Sequence, residues 1–261
     1  MFSTPRLTAL IALCATPLFA HADILGVTFS GRVFDVDSAS GAATELASSG
    51  PSFNALARQG DTYWSVVSNG GQLATIDAVT GVATLGPALS GLPDATSIRG
   101  LAWGAGALFG IQNNGGATSI GPDSLVRINT TTGATTVVGD TGFSGIQALV
   151  INAAGTAYGW DVVSGLMTID LNTGTATDVS AVGSGVDIQT LAFSPQGVLY
   201  GGRDALYTVD AVGGGVTLVA NVSIANADIR GMEFTTAVPE PGSWALMMAG
   251  LAALAWRQRR A

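Results

Sequence analysis

Five times along the chain an apolar-x-x-apolar segment ends in Asp or Asn and is followed four residues later by Gly. The copies are 33–37 with Gly41, 73–77 with Gly81, 125–129 with Gly133, 166–170 with Gly174, and 206–210 with Gly214. The residues that close them, Asp37, Asp77, Asn129, Asp170 and Asp210, are spaced 40, 52, 41 and 40 residues apart. A unit of this length cannot bury its apolar face alone, so neighbouring copies must stack on one another.

Each unit holds more than that segment. Ahead of it lies a short apolar-aromatic-Gly strand, as in Leu108-Phe109-Gly110, Ala157-Tyr158-Gly159 and Leu199-Tyr200-Gly201, and after it a Thr-rich strand such as 82–86 or 134–139. A further strand precedes both, typified by 98–103, 188–193 and 229–234. These four strands are rich in Val, Thr, Ile and aromatics and are separated by Gly, Asn, Asp and Ser turns. Four strands in about 40 to 45 residues is the arithmetic of a β-propeller blade. The expected fold class is therefore all-β, a five-bladed β-propeller of four-stranded blades. The body begins at a second strand, Ile24-Leu25-Gly26, and ends after a first strand, 229–234, so the last strand completes the first blade and few edges stay open. The repeat resembles bacterial propeller domains of uncharacterised function that carry a leucine-tyrosine-x-isoleucine-aspartate turn element. That resemblance covers most of the body and brings no activity with it.

The two ends of the chain are of another kind. A short positive stretch to Arg6, an apolar run over 7–19 and the small-x-small site Ala20-His21-Ala22 read as a secretory signal peptide over 1–22. The Sec translocon and signal peptidase are the partners this implies. Cleavage after Ala22 removes both the single Cys, Cys14, and the single His, His21, and the chain has no Lys. Thiol, imidazole and amine chemistry are then excluded, along with His or Cys zinc sites and disulfides. Cys14 also admits a lipoprotein reading, against which stands the absence of small residues before it.

At the other end, Pro239-Glu240-Pro241 precedes an apolar stretch from Trp244 to Trp256 and then Arg257, Arg259 and Arg260. This tail, 238–261, resembles the PEP-CTERM sorting signal of exported proteins of Gram-negative bacteria. As a helix, residues 244–256 rise only about 20 Å, short of the ~30 Å hydrocarbon core, and the arginines hold their end in the cytoplasm. The resemblance implies processing by an exosortase, a membrane protease-transpeptidase, with a transient inner-membrane stage before delivery to the cell surface or the medium. A plain, uncleaved anchor is the alternative.

Between the ends, over 23–237, the recurring Asx residues invite a calcium reading. A turn that opens on Asx and closes on Gly explains their recurrence without metal, since the side chain bonds its own backbone two residues on. No metal or cofactor is expected.

The second positions of the five first strands are Asn54, Arg99, Gln147, Gln189 and Arg230, polar in every copy. First strands line a propeller channel, so these residues predict a ring of amide and guanidinium donors at one mouth. The ring suits sugar hydroxyls, carboxylates or a trapped anion, or else it ties adjacent blades together. Two insertions, 87–97 and 111–124, are expected on the same face. Glu233 occupies a first-strand position that holds Ala57, Ala102, Val150 and Ala192 elsewhere, and it joins the ring residues as a ligand-binding candidate. Glycoside hydrolysis needs two placed carboxylates, so a salt bridge from Glu233 to Arg230 or Arg99 is the favoured expectation. Of the 18 acidic residues all but Glu240 lie in the body, against six arginines there. That balance speaks against nucleic acid and anionic membrane as partners. The sequence thus predicts a non-enzymatic surface module associated with exopolysaccharide or biofilm matrix. A polysaccharide hydrolase or lyase using Glu233, a Tyr and channel arginines is the rival.

Overall fold

The computed structural model describes residues 23–48, 50–68, 71–92, 98–114, 121–179 and 185–235, together with Gly250. The signal peptide with Ala20 and Ala22, and the tail from Pro239 through Arg260 apart from Gly250, lie outside these residues. Among the described residues no helix is long and apolar enough to cross a membrane.

Residues 21–237 form one compact unit built of five four-stranded antiparallel sheets. The chain starts with β1 (Ile24–Thr28), β2 (Val33–Val36) and β3 (Ala43–Ala47), three strands of a blade that is finished only at the other end of the body. Blade 2 is β4 (Phe53–Gln59), β5 (Thr62–Val67), β6 (Gln72–Ile76) and β7 (Ala83–Ala88). Blade 3 is β8 (Ile98–Gly104), β9 (Ala107–Gln112), β10 (Ser124–Ile128) and β11 (Thr135–Asp140). Blade 4 is β12 (Ile146–Ile151), β13 (Ala157–Asp161), β14 (Gly165–Ile169) and β15 (Ala176–Asp178), and blade 5 is β16 (Thr190–Phe193), β17 (Leu199–Gly202), β18 (Ala205–Val209) and β19 (Val216–Asn221). The last strand, β20 (Ile229–Phe234), pairs with β1 in the register Ile24↔Phe234 to Val27↔Gly231 and so completes blade 1. The five-bladed propeller expected from the repeat, and its closure by the last strand, are what the chain forms.

Burial follows strand order. All five residues of β1 are buried, whereas the outermost strands of the blades, such as β7 and β19, alternate partly buried with exposed residues. An inner strand is covered on both faces by the neighbouring blades, which is why first and second strands read as near-continuous apolar runs. The buried side chains form five clusters, one per seam. Blades 1 and 5 share the cluster of Phe34, Leu206 and Met232, and blades 1 and 2 that of Leu25, Phe53 and Ala74. The others join blades 2 with 3, 3 with 4, and 4 with 5. At about 25 cal/mol per Å² of apolar surface, these seams are the main favourable contribution to stability.

The recurring Asx residues build turns. Asp77 accepts from the backbone N–H groups of Val79 and Thr80 and from the Thr80 hydroxyl, and Asn129 accepts from the N–H groups of Thr131 and Thr132. The glycine closing each turn serves a second purpose, best seen at Gly133. Its φ of +73° suits Gly, and a Cβ there would collide with the carbonyl oxygen of Ala88 in the preceding blade. The repeated turn is thus a rim contact between blades as well as a hairpin. Both insertions are shorter than the sequence predicts. Pro87 and Ala88 belong to β7, Ile111 and Gln112 to β9, and Ser124 to β10, because the ladder continues through them.

Candidate functional site

The strands β4, β8, β12, β16 and β20 pack against one another in a ring and line the channel. Their beginnings define a near mouth, and their ends, some six residues on, a far mouth. The five polar second-position residues lie at the near mouth, and two of the interactions they make cross blade seams.

Asn54 is buried, and its Nδ2 donates to the carbonyl oxygen of Ile98 in the next blade at 3.2 Å. Arg230 Nη1 donates to Gln189 Oε1 at 3.0 Å, joining blade 1 to blade 5. Gln189 Nε2 in turn donates to Asp187 Oδ1. Arg230 Nε and Arg203 Nε converge on one oxygen of Asp228, at 2.9 and 2.8 Å. Arg203 Nη1 also donates to Asp187 Oδ2, and the Asp228 N–H donates to Asp204 at 2.9 Å. Burial works to raise the Asp187 carboxyl, but the bonds from Gln189 and Arg203 hold it below its ordinary range. Gln147 is buried, and Arg99 is half-buried. Burial lowers the pKa of Arg99, with the Arg230 charge adding to this and Asp123 opposing it. Arg99 and Arg230 therefore feel one another at the same mouth.

Several residues of this mouth escaped the sequence reading. Asp123 is fully buried at the root of the blade 3 insertion. It accepts from Asn113 Nδ2 at 3.0 Å, the Asn114 N–H at 3.3 Å and the Ile146 N–H of blade 4 at 2.8 Å. Burial still pushes its carboxyl up to about 6 against those bonds and the Arg99 charge. Phe29, in the turn after β1, is 41% exposed with the Arg230 guanidinium 5.7 Å from its ring centroid. The repeat pairs Asp123 with Asp204, each two residues before a third-strand Leu, whereas Phe29 has no aromatic counterpart in the other copies. Three guanidiniums, Arg99, Arg203 and Arg230, face Asp123, Asp187, Asp204 and Asp228, and Asp161 lies close enough to Asp123 for its charge to act there. Among the described residues the mouth has no surplus positive charge for an anion, and it presents hydrogen-bonding groups beside an exposed aromatic ring.

Glu233 does not join this ring. Three residues along β20 from Arg230, it lies at the far mouth, in a cavity of about 260 Å³ shared with Arg58, Trp103, Ile151 and Phe193. The expected salt bridge to Arg230 or Arg99 is not made. Extended strand spacing of ~3.3 Å per residue puts the Arg230 position about 10 Å away, and the opposing charge is Arg58, whose N–H donates to Glu233 Oε1 at 3.2 Å. Burial pushes the Glu233 carboxyl up to about 8, with the Arg58 N–H and guanidinium opposing. Its surface is nevertheless partly open to water, which works against that rise. Among the described residues no group of His, Cys, Asp and Glu is arranged to hold a metal ion.

Residues 237–260 match the family described as the PEP-CTERM protein-sorting motif. The chain carries a PEP-CTERM sorting motif. The motif implies processing by an exosortase, and so export and membrane-associated processing. No curated protein matches the chain. Among solved structures, a symmetrical protein studied for its de novo evolutionary emergence is 16% identical with a TM-score of 0.56, covering 84% of this chain and all of that one. A Bacteroides thetaiotaomicron protein of unknown function is 16% identical with a TM-score of 0.54, covering 79% of this chain and 57% of its own. A chain of a nidogen/laminin complex is 11% identical with a TM-score of 0.52, covering 84% and 87%. At these identities the likeness shows the propeller fold alone.

Proposed function

We propose that this PEP-CTERM protein is a surface-displayed, non-enzymatic propeller that binds extracellular polysaccharide at its near mouth. The observation that carries the reading is the placing of exposed Phe29 against Arg230, beside Gln189, Gln147 and Arg99. An aromatic face covers the C–H side of a pyranose while amides and guanidiniums engage its hydroxyls. The balanced charge of the mouth favours hydroxyl-rich, uncharged chains over polyanions. Against a hydrolase or lyase built on Glu233 stands the carboxylate count of its cavity. Glu233 is the one carboxylate lining its cavity, and hydrolysis ordinarily needs a pair.

The test is binding of the host's own exopolysaccharide to the purified protein, measured by calorimetry alongside assays of turnover. Binding without turnover, lost in Phe29→Ala with Arg230→Ala, is expected. Release of reducing ends or unsaturated products would overturn it. For the sorting step, the intact mass of protein recovered from cells is expected to end near Pro239-Glu240-Pro241. Recovery of the mature chain through Ala261 would overturn processing.

A further inference from the structure

The near mouth leaves unexplained the two hollows at the other end of the channel, which share one wall. Trp103, the last bulky residue of β8, lines both the 260 Å³ cavity holding Glu233 and a 430 Å³ groove over blade 3 formed with Arg127, Asn129, Thr131 and Thr136. The cavity is amphipathic. Phe193 and Ile151 supply apolar walls, while Glu233 and Arg58 supply polar groups. Arg58 spends Nε on the Gly60 carbonyl at 2.7 Å and Nη1 on the Phe234 carbonyl at 3.0 Å, which fixes the guanidinium at the rim. The groove beyond Trp103 is hydroxyl- and amide-bearing, and Arg127 there is exposed.

We propose that the far mouth is a second, independent glycan site, in which a neutral oligosaccharide lays one pyranose in the Glu233 cavity and the following units in the groove of blade 3, with Trp103 as the stacking wall between them. The cavity has the dimensions of one sugar unit rather than a chain, so the occupant enters by a chain end. Pyranoses present apolar C–H faces and polar edges, the same pairing that Trp103 and Phe193 form with Glu233, Arg58 and the threonines. Burial pushes the Glu233 carboxyl up to about 8, and in its protonated form it can donate to a ring hydroxyl as well as accept from one. This site stands whether or not the near mouth binds polysaccharide.

The test is a titration of the full chain with defined neutral probes, the cello-, malto-, xylo- and laminari-oligosaccharides of three to five units, read by tryptophan fluorescence and calorimetry. At least one series is expected to saturate. Trp103→Ala should weaken its binding about 30-fold, in line with truncation of a buried aromatic anchor. Arg127→Ala, on an exposed side chain that does not threaten folding, should weaken it by about threefold. Binding should also fall above pH 8 as Glu233 ionises, and Glu233→Gln should remove that fall. Phe29→Ala with Arg230→Ala should leave this binding unchanged while abolishing any at the near mouth. The proposal is overturned if no neutral series binds, or if binding survives Trp103→Ala in a protein of unchanged melting temperature. It is overturned equally if Arg127→Ala has no effect.

Discussion

Arg230 reaches across the seam between the first and last blades to donate to Gln189 Oε1 at 3.0 Å, while its Nε is held by Asp228 at 2.9 Å. One guanidinium thus bridges an amide on blade 5 and a carboxylate on its own blade, at the seam that closes the ring. Arg230→Ala should cost about 1–2 kcal/mol by urea denaturation, since hydrogen bonds to charged groups are worth more than neutral ones and these are partly exposed. Arg230→Lys should recover less than half of that, because an ammonium lacks the planar fork that reaches both partners. Full recovery by Lys would show that charge alone matters.

Gly133 and Gly155 offer a controlled pair. Both have positive φ, +73° and +86°, but a Cβ at Gly133 would strike the Ala88 carbonyl, and one at Gly155 would meet nothing within 4 Å. Gly155→Ala should cost about 1–2 kcal/mol from left-handed backbone alone. Gly133→Ala should cost at least about 2 kcal/mol more, as it forces the rims of two blades apart. Equal losses in thermal unfolding would remove the inter-blade role of the turn glycine.

Stability should depend on pH through Glu233. The folded chain holds its proton up to about pH 8, whereas the unfolded chain releases it near the ordinary 4.5. The folded state therefore binds more protons between those values, and stability falls as pH rises through that window. Asp123, pushed up to about 6, contributes a fall of the same sign from 3.8 upward. Glu233→Gln leaves Asp123 in place, so the difference between the two proteins isolates Glu233. The variant should match the wild type near pH 4.5 and exceed it on the order of 2–3 kcal/mol by pH 9. A constant difference across pH would place Glu233 in ordinary solvent.

Asn129 reports on the turns. Its Oδ1 accepts two backbone N–H bonds, so Asn129→Ala should lose about 1 kcal/mol, and Asn129→Asp little. Melting in excess calcium and in chelator should coincide for both and for the wild type. A melting temperature raised by calcium would instead make the recurring Asx residues ligands.

The architecture was legible because the repeat is dictated by packing. Spacing near 40 residues, four strands per unit and the out-of-phase ends all follow from every blade having to bury two faces, and that demand writes itself into the sequence five times. The near mouth was legible in part. Asn54, Arg99, Gln147, Gln189 and Arg230 share a repeat position, and so they share a place. Asp187 and Asp228 each precede the Ile of a first strand, and Asp123 and Asp204 each stand two residues before a third-strand Leu, so the repeat pairs them, while Phe29 has no aromatic counterpart in the other copies. Glu233 was visible as an oddity, but its partner was not. Arg58 occupies the next register position on the neighbouring first strand, and a one-residue offset turns a strand side chain to the other face.

The closure of blade 1 decides how the body carries load. The Thr235 N–H and hydroxyl both donate to the Asp23 carbonyl, at 2.8 and 3.1 Å, so the two ends of the body leave from one point. A pull on the tail after β20 enters the ring at its innermost strand rather than at a rim. There it meets the antiparallel β20–β1 ladder, paired from Ile24↔Phe234 to Val27↔Gly231. A load applied at this end falls first on the most deeply embedded strand of the ring and not on its rims.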